Sequence, residues 1–212
     1  MIVQIYEVTN PAEARKLAEL GVDHIGVLVG KGKYRREINY EKAKRIFESL
    51  PKGKKGVALS LSSNLKDIIQ LVKKVKPDIL HLGALPQHLS PKDVKKLRKY
   101  FPKLKIMRAI PVVDKRSLKL AKQYEKVVDY LLLDSYEKGD FQIGAVGKTH
   151  DWEISRRIVK SVKIPIILAG GLGLDNVAEA IKKVEPAGVD SKTKTDKNGR
   201  HRKDIDLSLI HI

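Results

Sequence analysis

The stretch PIILAGGLGLDNVAEAIKKVEPAGVD (165–190) contains a complete strand–helix–strand unit. Its two ends, PIILAGG (165–171) and AGVD (187–190), are short apolar runs that predict strands, and the segment over 174–184 has apolar residues at helical spacing. A strand made almost entirely of aliphatic residues is typical of a parallel sheet that is covered on both faces. The stretch therefore predicts parallel β/α architecture.

The same unit recurs along the whole chain of 212 residues, at a spacing of about 25 residues. The predicted strands cover 2–6, 23–30, 55–61, 78–83, 105–110, 129–134, 165–171 and 187–190. The predicted helices cover 11–20, 40–50, 64–76, 91–100, 115–125, 151–162 and 174–184, with a last short helix over 204–212. Eight such units predict a closed (β/α)8 (TIM) barrel of parallel strands, in a single domain over residues 1–212.

Residues that cap helices support these boundaries. Asn10, Ser90 and Asp151 stand just before the first, fourth and sixth predicted helices, and Asp175 lies near the start of the seventh. Their side-chain oxygens accept hydrogen bonds from amides of the first helical turn, which have no partner within the helix.

The main alternative fold is a doubly wound nucleotide-binding sheet, which requires a glycine-rich turn after its first strand. Here the first strand continues into EVTNPAE (7–13), which contains no glycine. GKT (147–149) resembles the end of a P-loop, but the position that requires glycine is Gln142. GLGLDN (171–176) begins like a dinucleotide-binding motif and ends on Asn176 instead of glycine. We therefore favour the barrel and predict no nucleotide cofactor.

The composition excludes several classes of protein. The chain has no cysteine, which rules out disulfides, thiolate metal sites and a cysteine nucleophile or base. Its six histidines show no metal-ligand spacing, so we predict no metal. No run approaches the roughly 20 apolar residues of a membrane span. The first residues, MIVQIYEVTN, do not resemble a signal peptide, and we expect a cytoplasmic protein.

The net charge of +18 favours polyanions as partners. Two basic segments, KGKYRR (31–36) and KTKTDKNGRHRK (192–203), follow predicted strands. Sequence-specific RNA binding would require aromatic residues among the basic ones, and Tyr34 is the one aromatic residue in either segment. We expect nonspecific, salt-sensitive binding of polyanions instead.

The active site of a (β/α)8 barrel is built from the loops that follow the strands. Candidate site residues are therefore those that end the predicted strands or follow them, namely Tyr6, Glu7, Arg36, His81, Arg108, Asp134, Gly170, Gly171, Asp190, Lys192, Thr193 and Lys194. The glycine pair in LAGGLG predicts a phosphate site, since glycine lets backbone amides approach an anion closely. The competing interpretation of this pair is a tight turn from strand to helix.

Four segments carry a further signal, namely the first strand with VTN (8–10), YLLLDS (130–135) with GAVGKTHDW (144–152), ILAGGLGLDNVAEAI (167–181) and PAGVDSKT (186–193). Together they resemble the phosphoribosylanthranilate isomerase family, which acts in tryptophan biosynthesis. The resemblance extends over nearly the whole chain in order. It implies an Amadori rearrangement of an aminoaldose phosphate, which needs proton transfers but no cofactor or metal.

The resemblance also implies residue roles. Asp134 matches the general acid and would need a raised pKa to donate a proton near neutrality. Arg36, next to Arg35, matches the arginine that contacts the anthranilate part, and Asp190 matches the contact to the sugar hydroxyls. His81 and Arg108 are predicted substrate contacts. Gly170 and Gly171, with Lys192, Thr193 and Lys194, correspond to the phosphate loops. For Asp134 the competing interpretation is a capping or loop aspartate, and for the arginines it is a solvated basic loop.

The sequence departs from the family at the catalytic base. The family has cysteine where this chain has Tyr6, and a tyrosine with a pKa of about 10 is a poor base at neutral pH. The strand-four pattern reads His81-Leu82-Gly83-Ala84, which displaces the family's histidine. Two glycine-rich segments have become Lys192-Thr193-Lys194 and Gly144-Ala145-Val146-Gly147.

Three hypotheses fit these departures. Glu7 replaces the cysteine as base, since a partly desolvated carboxylate can take a carbon-bound proton. Alternatively, the site isomerises another phosphorylated aminosugar. The third possibility is a non-catalytic relative that binds a phosphorylated metabolite or RNA.

Overall fold

Eight parallel strands close into one barrel in the computed structural model, which describes residues 1–34, 36–140, 142–144, 147–196 and 203–204. The strands are β1 (Ile2–Ile5), β2 (His24–Leu28), β3 (Lys55–Ser60), β4 (Ile79–Leu82), β5 (Lys105–Pro111), β6 (Tyr130–Asp134), β7 (Ile166–Leu168) and β8 (Gly188–Ser191). Each strand pairs with the next, and β8 pairs with β1. The prediction of a (β/α)8 barrel is confirmed.

In the described residues, seven α-helices lie between the strands. They are α1 (Pro11–Glu19), α2 (Tyr40–Glu48), α3 (Leu65–Val75), α4 (Pro91–Tyr100), α5 (Arg116–Glu125), α6 (Trp152–Ser161) and α7 (Val177–Val184). Asn10, Ser90 and Asp151 cap α1, α4 and α6 as predicted. Asp175 is not the cap of α7. That position is held by Asn176, whose Oδ1 accepts a hydrogen bond from the amide of Gly173 at 2.9 Å.

Alternation along each strand separates two apolar regions. The larger one lies between the sheet and the helices, and the smaller one fills the barrel interior. In β5, for example, Met107 belongs to the interior cluster while Ile106 and Ile110 pack toward the helices. This alternation decides which side chains reach the site, because the interior face of a strand leads to the cleft at its carboxyl end.

The observed elements are shorter than predicted where special backbone conformations interrupt them. The predicted strand 165–171 ends at Leu168, since Gly170 and Gly171 have φ values of +89° and +62°. A short 3-10 turn over Thr193–Thr195, which the sequence did not predict, follows β8. The predicted last helix (204–212), apart from Asp204, lies outside the described residues, as do Arg35, Ala145, Val146 and the segment 197–202. Within the described part of the chain, no helix combines the length and apolar character of a membrane span.

Candidate active site

The carboxyl ends of the strands surround a cleft. Ten of the twelve candidate site residues line it, namely Tyr6, Glu7, His81, Asp134, Gly170, Gly171, Asp190, Lys192, Thr193 and Lys194. Arg36 lies beside the cleft and forms an ion pair with Glu7, which lines it. Arg108 does not reach it.

Arg108 points away from the cleft. Its side chain lies on the helix-facing side of β5, fully buried, with the guanidinium carbon 4.9 Å from the centre of the Tyr124 ring. Its two terminal nitrogens donate to the carbonyl oxygens of Leu82 and Ala84, each at 2.5 Å. Arg108 therefore fastens the end of β4 to β5, and we withdraw the expectation that it contacts a substrate.

Asp134 ends β6 and presents a carboxyl group to the cleft. Its Oδ1 accepts hydrogen bonds from the amide and the hydroxyl of Ser135, at 2.8 and 3.3 Å. Gly144, with φ of +80°, packs so closely that a Cβ atom there would lie 1.9 Å from Oδ2. Burial raises the pKa of Asp134 to about 7, against the opposing effects of the Ser135 hydrogen bonds and the Lys192 charge. Asp134 can therefore hold or release a proton near neutral pH.

Asp190, in β8, is the second carboxyl group that titrates near neutrality. Burial raises its pKa to about 8 and the charge of Asp134 adds to the rise, while a hydrogen bond from Gln4 opposes it. Gln4 donates from Nε2 to Asp190 Oδ1 at 3.0 Å, and its Oε1 is 3.1 Å from Nδ1 of His24. Sequence reasoning missed Gln4. The available signal was a polar residue inside the apolar strand IVQIY.

Tyr6, which follows β1, and His81, in β4, form a hydrogen-bonded pair in the lining of the cleft. The Tyr6 hydroxyl lies 2.8 Å from His81 Nδ1, and the Tyr6 ring packs against Gly26, where a Cβ atom would lie 2.4 Å from it. Burial raises the pKa of Tyr6 well above its usual value of 10, with Asp190 and Glu7 adding to the rise. Burial also lowers the pKa of His81 to about 3, and Arg108 contributes. Both side chains are neutral at pH 7, and Tyr6 is not a base there.

The hydrogen bond of this neutral pair can form with either tautomer of His81. In the tautomer that accepts the Tyr6 hydrogen on Nδ1, Nε2 carries the ring N–H. Within the described residues, this Nε2 is buried and has no hydrogen-bond partner. His81 lines the cleft, and in this tautomer it offers an N–H to a ligand oxygen.

Glu7 lies between two cations at the mouth of the cleft. Its Oε2 is 2.9 Å from Nη1 of Arg36, and its Oε1 is 2.9 Å from Nζ of Lys192. Arg36 also contacts Asp196 at 2.7 Å, and Asp196 in turn contacts Lys203 at 2.7 Å. The sequence did not predict these contacts, because they join loops that are up to 185 residues apart in the chain, as for Glu7 and Lys192.

The glycine turn after β7 and the segment after β8 lie next to each other in the lining of the cleft. A Cβ atom on Gly171 would lie 2.8 Å from the carbonyl carbon of Lys148, and one on Gly170 would lie 2.8 Å from Nδ1 of His150. The turn therefore needs glycine at both positions, and both residues line the cleft together with Thr193. The interpretations as a tight turn and as an anion cradle are compatible. Within the described residues, no three His, Asp or Glu side chains are grouped as metal ligands would be.

A parallel (β/α)8 barrel whose cleft holds two carboxyl groups with raised pKa values beside a glycine turn is typical of enzymes that transfer protons on small molecules. The particular family follows from comparison with known proteins. Residues 3–207 match the family model of N-(5'-phosphoribosyl)anthranilate (PRA) isomerase, and the chain belongs to this family.

Individual proteins of this family are similar to the chain in sequence and in structure. The N-(5'-phosphoribosyl)anthranilate isomerase of Methanocella arvoryzae is 35% identical over 189 residues, which are 89% of this chain and 85% of the relative. The solved phosphoribosyl anthranilate isomerase of Thermococcus kodakaraensis is 29% identical, with a TM-score of 0.79. The superposition covers 99% of this chain and 96% of the Thermococcus chain. Another solved isomerase, in complex with reduced 1-(o-carboxyphenylamino)-1-deoxyribulose 5-phosphate, shares the fold at 24% identity with a TM-score of 0.77, covering 100% and 96%.

Proposed function

We propose that this protein isomerises N-(5'-phosphoribosyl)anthranilate, an aminoaldose phosphate, to the corresponding aminoketose phosphate in tryptophan biosynthesis, with a carboxylate in place of the family's cysteine base. The observation that carries the proposal is Asp134. Its carboxyl group ends β6 inside the cleft, and burial raises its pKa to about 7. Membership of the PRA isomerase family supports the choice of substrate. We place the enzyme in the cytoplasm.

Ring opening needs an acid that protonates the sugar ring oxygen. Asp134 serves this step, since a carboxyl group with a pKa of about 7 is partly protonated at neutral pH and still donates readily. Asp190, with a pKa of about 8, is mostly protonated at pH 7 and binds a sugar hydroxyl as a hydrogen-bond donor or acceptor. The N–H on Nε2 of His81 is a further donor to a substrate oxygen.

The second step needs a base that takes a proton from the carbon next to the aminated one. Tyr6 stands in the family's base position but keeps its own proton at neutral pH. Glu7 is the neighbouring carboxylate in the cleft, and we assign the base to it. The substrate phosphate lies at Gly170, Gly171 and the segment Lys192–Lys194, where backbone amides and ammonium groups attract it. Arg36 contacts the anthranilate carboxylate. No cofactor or metal takes part, since both steps are proton transfers.

A fluorescence turnover assay with N-(5'-phosphoribosyl)anthranilate tests the proposal. We expect turnover by the unaltered protein and a loss of about 10²–10⁴-fold in kcat for Asp134→Asn, which cannot donate the proton. Asp114→Asn is the matched control, because Asp114 is paired with Arg116 at 2.6 Å outside this cleft. An unaltered protein that binds phosphosugar without turning it over would contradict the proposal and identify a non-catalytic relative.

A further inference from the structure

Three polar side chains from neighbouring strands form a hydrogen-bonded series inside the barrel. Gln4 in β1 lies opposite His24 in β2 and opposite Asp190 in β8 in the strand register. Its Nε2 is 3.0 Å from Asp190 Oδ1, and its Oε1 is 3.1 Å from His24 Nδ1. All three residues are at most 7% exposed. Of the three, Asp190 is the one that lines the cleft, so Gln4 and His24 support it from the barrel interior.

The orientation of the Gln4 amide follows from a third neighbour. Its Nε2 is 3.9 Å from the sulfur of Met107, and a thioether sulfur accepts hydrogen bonds but donates none. The amide therefore turns its N–H groups toward Met107 and Asp190, and its oxygen accepts from Nδ1 of His24. Burial lowers the pKa of His24 to about 4, so the ring is neutral at pH 7 and has its one proton on Nδ1.

This orientation of the amide distinguishes the two oxygens of Asp190. Within the described residues, Gln4 is the one hydrogen-bond partner of the carboxyl group, and it donates to Oδ1. In a protonated carboxyl group the carbonyl oxygen is the better acceptor, so the donor on Oδ1 favours the proton on Oδ2. Oδ2 is then the oxygen that is left for a ligand in the cleft.

The other groups that face Asp190 leave it mostly protonated at pH 7. They are Asp134 from β6, Tyr6 after β1, and Lys192 and Lys203 after β8, whereas β7 adds aliphatic side chains alone. Burial raises the pKa of Asp190 to about 8, and the charge of Asp134 adds to the rise, against the Gln4 hydrogen bond and the two lysine charges. A proton is therefore available on this carboxyl group at neutral pH.

We propose that Gln4 is a positioning residue that makes Asp190 a hydrogen-bond donor to the substrate: its amide occupies Oδ1 and directs the carboxyl proton to Oδ2, which donates to a hydroxyl oxygen of the sugar. This inference rests on the proposed function, which supplies the sugar phosphate. His24 holds the amide in this orientation. The proton stays on Asp190, so the contact binds and orients the substrate and leaves the acid role to Asp134.

Nitrogen NMR of His24 in the free protein tests the orientation of the amide. We expect the ring proton on Nδ1, and in Gln4→Leu this preference should weaken because the acceptor is lost. A proton on Nε2 in the unaltered protein would mean that His24 accepts from the amide. The Gln4 oxygen would then face Asp190 and draw the carboxyl proton to Oδ1, which would overturn the proposal.

The pH dependence of ligand binding tests whether Asp190 donates. The probe is reduced 1-(o-carboxyphenylamino)-1-deoxyribulose 5-phosphate, and the reference is Asp190→Asn, whose amide donates at every pH. We expect the ratio of the dissociation constants, unaltered protein over Asp190→Asn, to be level below pH 8 and to rise about tenfold per pH unit above it, as the proton of Asp190 is lost. A ratio that falls above pH 8 would show that Asp190 binds as a carboxylate acceptor. That result, or a ratio independent of pH, would overturn the proposal.

Two substitutions of Gln4 separate its effect on Asp190 from packing. In Gln4→Lys an ammonium group beside the carboxylate should lower the pKa of Asp190 by about 1 or more, as measured by carbon NMR of the carboxyl group. In Gln4→Leu the hydrogen bond to the charged form is lost, and the pKa should rise. Gln70→Lys, on the exposed face of α3, is the control for added charge and should leave the pKa unchanged.

Shifts of the same sign in both Gln4 variants would show that packing, and not the amide, controls Asp190. The binding experiment and the His24 spectrum of the unaltered protein do not depend on the stability of either variant. If the probe does not bind at any pH, the proposed function fails, and the His24 spectrum still decides whether Gln4 donates to Asp190 in the free protein.

Discussion

The carboxyl groups on the two sides of the cleft have different partners. On the β6–β8 side, Asp134 and Asp190 have neutral hydrogen-bond partners, Ser135 and Gln4, and burial raises their pKa values to about 7 and 8. On the β1–β2 side, Glu7 is equally buried but has a cation on each oxygen. Burial alone disfavours the charged form of a carboxyl group, and a neighbouring cation opposes that effect. One cleft thus holds two carboxyl groups with raised pKa values on one side and an ion-paired one on the other.

The segments that resemble the family and the departures from it both contribute to the cleft. The proton-donor side is built from the segments that resemble the family, including YLLLDS (130–135) and LAGGLG (168–173). The departures lie on both sides, with Tyr6 and Glu7 after β1, His81 in β4, Lys192 after β8 and Gly144 beside Asp134. The predictions below test each side separately.

The largest effect is expected on stability, from Asp196→Asn. This change leaves the buried ammonium of Lys203, whose side chain is 1% exposed, without its counterion, and removes one partner of Arg36. We expect a loss of about 3–5 kcal/mol in the free energy of unfolding, measured by urea denaturation at pH 7. The control is Asp67→Asn, since Asp67 pairs with the 65% exposed Lys31 and should contribute less than about 1 kcal/mol. Equal losses in the two variants would show that the ion pairs of Asp196 with Arg36 and Lys203 do not act as buried ion pairs.

The next largest effect is expected on kcat, from Gly144→Ala on the proton-donor side of the cleft. The added Cβ would lie 1.9 Å from Asp134 Oδ2 and must displace the acid, so we expect kcat to fall by about 100-fold. Gly139→Ala is a close control, because Gly139 has a similar positive φ of +105° and nothing within 4 Å of its Cβ position. Both positions have a positive φ, so alanine is strained at each of them. If their kcat values fall equally, the position of Asp134 is not what Gly144 controls.

The sequence predicted the barrel and most of the cleft positions because these depend on local patterns. Apolar runs, helix caps and strand ends are visible one segment at a time, and the resemblance supplied the positions of Asp134 and Asp190. The roles assigned to these residues stay predictions. Arg108 was misplaced because KIMRAI (105–110) is apolar on both faces, so its pattern does not show which side chains point inward. The contacts of Gln4 and of Asp196 with Lys203 depend on how loops and strands meet, which no local pattern records.

The pH dependence of kcat tests whether the acid on the β6–β8 side is the group that titrates near neutrality. The pKa of Asp134 is raised to about 7, and the acid must be protonated to act. We therefore expect kcat to be level below pH 7 and to fall about tenfold per pH unit above it, as the proton is lost. In Asp190→Asn the overall rate falls, because a substrate contact is lost, but the decline should still begin near pH 7. A decline that disappears in Asp190→Asn would assign the acid to Asp190 instead.

The smallest effect is expected from Tyr6→Phe, which tests the β1–β2 side. If Tyr6 were the base, this change would reduce kcat by about 10²–10⁴-fold. Because burial raises the pKa of Tyr6 well above 10, we expect kcat to stay within about tenfold of the unaltered value. The lost hydrogen bond leaves His81 Nδ1 without its donor, so the free energy of unfolding should fall by about 1 kcal/mol.

Nitrogen NMR of His81 adds a readout that a packing defect would not change. In the unaltered protein we expect the proton on Nε2, since Tyr6 donates to Nδ1 at 2.8 Å, and in Tyr6→Phe this preference should weaken. Tyr130→Phe is the control. The Tyr130 ring contacts His24 edge-on, with the ring centres 6.0 Å apart, at the amino-terminal ends of β6 and β2, so this change should leave the His81 spectrum unchanged. A proton found on Nδ1 in the unaltered protein would mean that the imidazole donates to Tyr6, and would remove His81 as a donor to the substrate. The β1–β2 side would then offer the substrate only the charged groups around Glu7.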